Sequence, residues 1–301
     1  MATQPLPTTT ADGADATNVG ESPSQKHARP RMSTRNRLLF FLTAWLLVLM
    51  PFLFWWSTWF GRALKPKEMN EYLNDNAHPR HIQHAIVQLG QRMSQHDPSA
   101  TQWYGDLVRV AANSHEEVRS TDAWVMGQDT AGPGFHDALL KMLGDSSVLV
   151  RGNAALSLVR FGDNSGRSQI VSLLQPVVIT TASDGRVIDA ATVGTMIHQG
   201  GLIAKLQGED SQIHELRSPI TGRVRLATGT GASMAAGSSI ATVDPGEEQV
   251  WEALRALYLI GQVDDLPAVR PYERELPEVS DRVRVQAADT ERAIQQKANP
   301  R

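Results

Sequence analysis

The sequence predicts an array of paired helices interrupted by a small all-β module, behind one membrane-crossing helix. Three observations predict it. A 23-residue stretch from Leu38 to Phe60 carries no charge. Apolar residues recur at helical spacing across 66–175 and again after residue 246. Between them the chain repeats itself at a shift of 37 residues: Gly185-Arg186-Val187 recurs as Gly222-Arg223-Val224, Gly194 meets Gly231, and Gly200 meets Gly237.

The chain begins with 1–37, rich in Thr, Ala, Pro, Ser and Gln and without large apolar stretches, the composition of a disordered tail. The apolar stretch that follows would be about 34 Å long as a helix, against a hydrocarbon core of about 30 Å. Pro51 is tolerated in such a helix, and Trp55, Trp56 and Trp59 collect at one end as an interfacial belt. Tail and span together read as a signal anchor, since Trp-Phe-Gly-Arg follows rather than a small-residue cleavage site. Lys26, Arg29, Arg31, Arg35 and Arg37 precede the span; Arg62, Lys65 and Lys67 follow it. That excess places the N-terminus in the cytoplasm and the C-terminal part in the periplasm of a single-pass inner-membrane protein.

Residues 66–175 read as helices of about 10 to 17 residues. Pro79–Gln95 presents Ile82, Ala85, Ile86, Leu89 and Met93 on one face; Pro98–Ala112, His115–Met126, Phe135–Leu143, Val148–Phe161 and Arg167–Leu174 follow the same style. Leu89-Gly90, Met126-Gly127 and Phe161-Gly162 are read as repeat endings, and Val118-Arg119 and Val150-Arg151 as repeat beginnings. Paired helices of this period would stack as an α-solenoid. Asp145 to Leu156 resembles a short bacterial HEAT repeat. Asp281 to Ala287 repeats its Val-Arg-x-x-Ala, so the array is expected to resume over 247–296, with the β module entering near Pro176 and leaving near Pro245-Gly246. Arg119, Arg151 and Arg284, with Glu117, Asp145 and Asp281 nearby, suggest ion pairs between repeats.

The duplicated stretch over 177–245 needs glycine at turns and Val, Ile and Leu in short strands. Glu209 to Val224, with Ser218-Pro219 and Gly222, resembles the second half of the lipoyl/biotinyl family of barrel-sandwich hybrid modules. The resemblance implies a fold of two interlocked halves with a carrier lysine at the hairpin between them, eleven residues before Gly222. That position is Ser211, and a hydroxyl cannot form the amide that tethers lipoate or biotin. Lys205 lies six residues early. Unlipoylated modules of this kind resemble the hybrid domain of bacterial membrane-fusion (adaptor) proteins of export pumps, where a long helical hairpin joins the halves. About ten residues do so here.

The absence of cysteine excludes disulfides, thiol catalysis and cysteine-ligated metal. A net charge of -3 gives no global attraction to nucleic acid. His78, His81 and His84 form a His-x-x-His-x-x-His run whose helical spacing lets two share a face. No carboxylate is placed beside them, so the run reads as a solvated face, and no metal is assigned. His136-Asp137 and His214-Glu215 are isolated pairs. Gly229-Thr230-Gly231 belongs to the β turns. No catalytic residue, cofactor or small-molecule substrate is identified. The expected role is a non-enzymatic scaffold or adaptor for other proteins of an envelope or export assembly. The alternatives are a lipoyl/biotinyl-type carrier and an enzyme resembling the HEAT-repeat lyases of bilin chromophores.

Overall fold

The structure, a computed structural model, describes residues 33–59, 62–208 and 211–299. Residues 1–32 of the tail expected over 1–37, Phe60, and Glu209-Asp210 at the hairpin lie outside the described residues, as do the side chains of Trp55, Trp56 and Trp59. The chain divides into two units, Met1–Arg62 and Ala63–Arg301.

The first unit contains α1 (Thr34–Trp59), 26 residues with Pro51 inside it. It starts four residues before the apolar stretch, so Arg35 and Arg37 belong to the helix rather than to the tail. At 1.5 Å per residue it is about 39 Å long. Leu38, Phe40, Trp45, Leu47 and Val48 are exposed along it. One helix near the N-terminus is thus long and apolar enough to span a membrane.

The second unit opens with α2 (Pro66–Leu73), α3 (Pro79–Ser94), α4 (Tyr104–Val110), α5 (Glu116–Met126), α6 (Phe135–Met142), α7 (Val148–Arg160) and α8 (Arg167–Ser172). Pro66, Pro79 and Pro98 each sit in a first turn, where a missing N–H costs nothing. The helix expected over Pro98–Ala112 is split: Pro98–Trp103 is a 3₁₀ segment capped by the Asp97 carboxylate, which accepts from the Ser99 N–H at 2.9 Å. Met69, Leu73, Ile82, Leu89, Trp103, Leu107, Val118, Phe135, Leu139, Val150 and Leu158 share one core.

The chain then forms eight strands: β1 (Val177–Thr180), β2 (Gly185–Ala190), β3 (Met196–Ile197), β4 (Leu202–Gln207), β5 (Ile213–Arg217), β6 (Gly222–Ala227), β7 (Ser233–Met234) and β8 (Ser239–Pro245). They make two antiparallel sheets, β1-β8-β6-β3 and β5-β4-β2-β7. Shifting the chain by 37 residues carries β2 onto β6 and β3 onto β7, and overlays β1 on β5 and β4 on β8. The same shift turns the first sheet's strand order into the second's. Each half therefore supplies two strands to each sheet, and Ile179, Val187, Ile197, Ile203, Leu206, Val224, Ile240 and Val243 from both sheets bury together. The paired glycines differ in their task. Gly194 and Gly231 take φ of 89° and 94°, which side chains rarely adopt. Gly222 is needed for space instead, since a Cβ there would stand 1.8 Å from the Asp244 carbonyl oxygen of β8.

Three helices follow, α9 (Glu247–Ile260), α10 (Leu266–Val269) and α11 (Asp281–Ala298). Val250, Leu254, Leu257, Val269, Val283, Ala287 and Ile294 form a second helical core with Ala155 of α7 and with Ile170, Leu173 and Leu174. Tyr272 donates to the Leu174 carbonyl at 2.6 Å, and Arg167 pairs with Asp265 at 2.9 Å, so residues on either side of the strands are joined directly.

The expected α-solenoid of HEAT-like repeats with a barrel-sandwich insert is contradicted. The described residues form two four-stranded antiparallel sheets with helices at both ends, and the helices of this unit range from 4 to 18 residues. No constant helical unit is repeated, and the three Gly landmarks explain why the sequence suggested one. Gly90 closes nothing: it lies inside α3, where a Cβ would stand 2.9 Å from Val125 Cγ2. Gly127 ends α5 at a right-handed φ of -69° and makes room for Ser157. Only Gly162, at φ 74°, has the left-handed conformation of a helix stop. Three glycines spaced 37 and 35 residues apart meet three different local needs.

Candidate functional site

The hairpin between β4 and β5 positions the residue that the sequence singled out. Lys205 lies opposite Glu215, and Gln207 opposite Ile213. Beyond that pair the Gly208 N–H donates to the Gln212 carbonyl at 2.9 Å, and the Ser211 N–H to the Gly208 carbonyl at 3.0 Å. Ser211 is exposed at the tip with φ 62°. Lys205 is held inside β4, its Nζ 3.9 Å from Glu215 Oε1, and Arg217 shares the same carboxylate at 2.5 Å. The tip therefore presents a hydroxyl, and the Lys205 amine is paired across to β5.

The histidines do not remain a plain solvated face. Asp75, in the turn between α2 and α3, accepts on Oδ2 from His81 Nδ1 at 2.7 Å and from His78 Nδ1 at 2.9 Å. These hydrogen bonds, His81 first, hold the Asp75 carboxyl below the usual carboxylate range. The His81 ring stacks on Tyr72 with centroids 4.4 Å apart and planes 12° apart. His84 stands apart, its Nε2 2.9 Å from Gln88 Nε2. The sequence reading missed Asp75 because it lies in the turn before α3, outside the helical spacing that singled out the histidines. The signal was present as Asp-x-x-His-x-x-His.

His136 likewise finds its partner in another segment. Its Nε2 donates to Asp163 Oδ2 at 2.7 Å, while Asp137 next to it stands 3.7 Å from Nδ1. Asp163 is held low chiefly by Ser165, with His136 a lesser cause. The three arginines differ too. Arg119 grips Asp145, Arg151 donates to the Asp145 and Ser146 carbonyls at 2.6 and 2.9 Å, and Arg284 pairs with Asp281 of its own helix. One pairing therefore crosses between helical segments, and the other two are local.

Two open cavities lie among the described residues. One of about 500 Å³ is lined by His96, Asp97, Tyr104, Asp129 and Arg160 among others. Tyr104 donates to Asp129 there at 2.5 Å, and burial first, then that hydrogen bond, drives its phenol pKa upward. The other, about 540 Å³, has Glu116, Glu117 and Ser120 on the helical side and Gln199, Arg217 and Ser218 on the strand side. Neither lining set gives a nucleophile hydrogen-bonded to a base that is itself oriented, the arrangement acyl-transfer chemistry requires.

No family model matches the sequence, and no curated protein matches it. Among solved structures the chain is similar to a single-chain, multi-domain long-chain acyl-CoA carboxylase at 13% identity and a TM-score of 0.23. The likeness covers 32% of this chain and 10% of that one. It spans about a tenth of the carboxylase and carries no argument about fold or activity.

Proposed function

We propose that this chain is a single-pass, membrane-anchored adaptor that binds other proteins of an envelope assembly and performs no catalysis. The observation that carries the reading is Ser211. The stretch around it resembles lipoyl and biotinyl carriers and the hybrid domains of membrane-fusion proteins, yet the hairpin tip offers a hydroxyl where a carrier offers an amine. An exposed hairpin without attachment chemistry is suited to docking. The apolar Ile213 is more than half exposed just beyond the tip, an anchor of the kind interfaces use. The apolar helix α1 supplies the membrane attachment. Five basic residues before the apolar span against three after it favour a cytoplasmic N-terminus and a periplasmic second unit in the inner membrane.

The test is cross-linking in intact cells followed by purification from solubilised membranes. The expected result is a reproducible membrane-protein partner cross-linked to the β4–β5 hairpin, lost in Ile213→Glu. Purification of the chain without any partner would overturn the adaptor reading. An intact mass carrying a lipoyl or biotinyl addition on Lys205 would replace it with the carrier reading. Added protease should cut the second unit in sealed spheroplasts; protection there would reverse the topology.

A further inference from the structure

The turn between α2 and α3 carries chemistry that an adaptor does not need. It is already closed by its backbone, with the His78 N–H on the Asp75 carbonyl at 3.0 Å and the His81 N–H on the His78 carbonyl at 2.8 Å. Even so, both Nδ1 atoms converge on one carboxylate oxygen, and His78 also lies 3.0 Å from Oδ1. The two rings sit 5.1 Å apart. Tyr72 fixes one of them by stacking, whereas the His78 side chain is 65% exposed and free to adjust.

We infer that Asp75, His78 and His81 form a site for one divalent transition-metal cation of the Zn²⁺ type. One donor atom from each of the three residues lies within 4.8 Å of the others, giving two imidazole nitrogens and one carboxylate oxygen. Metal–ligand distances of about 2.0–2.2 Å put the donors of a tetrahedral site roughly 3.3 Å apart. The His–Asp contacts of 2.7 and 2.9 Å open by a few tenths of an ångström, and the donor set, now within 4.8 Å, draws in around the ion. The exposed His78 supplies that movement. Each ring binds through its Nδ1 lone pair and turns its N–H to Nε2, so the carboxylate exchanges two N–H donors for one cation. Imidazole nitrogen selects Zn²⁺, Ni²⁺ or Cu²⁺ over Mg²⁺ and Ca²⁺, which favour oxygen. Three protein ligands leave the fourth position to water. His84, engaged with Gln88, is not a ligand.

The experiment uses the full, tag-free chain in detergent, stripped of metal. Zn²⁺ alone is titrated by calorimetry, and Co²⁺ alone is followed by its visible absorption. One equivalent of either ion is expected in the parent, with tetrahedral Co²⁺ bands. Asp75→Asn, which keeps the side-chain shape, and His78→Gln, which alters an exposed ring, should each weaken binding by more than about tenfold. His84→Gln and His136→Gln should bind as the parent does. Circular dichroism confirms that each variant is folded. Failure of the parent to bind Zn²⁺, or parent-like binding by folded Asp75→Asn and His78→Gln, overturns the site. These readouts do not depend on any protein partner.

Discussion

Arg119 of α5 grips both oxygens of Asp145 with one edge of its guanidinium, Nε to Oδ2 at 2.7 Å and Nη2 to Oδ1 at 2.9 Å. Both side chains are less than 15% exposed. Arg119 also donates to the Asn113 carbonyl at 2.8 Å, and Asp145 accepts from the Ser147 N–H at 2.8 Å. One pair thus ties two inter-helix loops together. Arg119→Ala should cost about 2–4 kcal/mol of stability, because it leaves a mostly buried carboxylate unpaired. Arg119→Lys should recover only part of this, since an ammonium cannot fork. Chemical unfolding of the solubilised chain measures both.

The same pair sets an acid limit. The Arg119 hydrogen bond holds the Asp145 carboxyl below its usual value of 3.8. A depressed folded pKa contributes stability above the unfolded pKa, and that stability is lost as pH falls through the folded one. Stability should therefore drop below about pH 4 in the parent. Asp145→Asn, already weakened, should show a smaller drop. Equal slopes in the two proteins would mean that the pair does not set the limit.

Asp122 gives the opposite dependence. It is fully buried in α5, and neither carboxylate oxygen has a hydrogen-bond partner. Burial pushes its pKa well above 3.8, only partly offset by Arg109. The folded chain keeps the proton that the unfolded chain releases, so stability falls as pH rises from about 4 toward the folded pKa. Asp122→Asn removes this titration. Its stability relative to the parent should rise steadily above pH 4, read from thermal midpoints. A gap that does not change with pH would count against it.

A second carboxyl titrates nearer neutrality. Burial first, and then the neighbouring Glu291, push Glu273 up to about 7, while Arg270 pairs with Glu291 at 3.0 Å. A raised acid destabilises progressively from its unfolded pKa, about 4.5, up to about 7. Glu273→Gln should match the parent near pH 4.5 and exceed it at pH 8. Melting temperatures that cross in the other direction would contradict this.

The glycines of the duplicated halves should not tolerate alanine equally. At Gly222 the added Cβ meets the Asp244 carbonyl oxygen at 1.8 Å; at the matching Gly185 the nearest atom, the Gln207 carbonyl oxygen, is 2.9 Å away. Gly222→Ala should cost more than about 3 kcal/mol, as it forces β6 from β8. Gly194→Ala meets no atom within 4 Å and pays only for its positive φ, about 1–2 kcal/mol. Thermal unfolding of Gly222→Ala and Gly194→Ala gives the order.

Local signals were the most legible. The 37-residue shift read from Gly185 and Gly222 coincides with matching strands, because strand and turn chemistry are short-range. The helix read from Pro79 begins there. The helical repeat failed because glycine spacing says nothing about what a glycine packs against. Asp75 was missed because its partnership with His78 and His81 forms across a turn, outside the helical periodicity being read.

By itself, then, the sequence determined the apolar helix, the duplication and Ser211 at the hairpin, all properties of neighbouring residues and their order. Only the tertiary structure decided that each half shares its strands between two sheets. It alone joined α9 to α8 through Gln249 and the Leu173 carbonyl, 2.9 Å apart, and brought Arg167 onto Asp265. The reason is physical. Sheet order and inter-helix contacts are chosen by which apolar faces bury together, and that choice is made between segments distant along the chain.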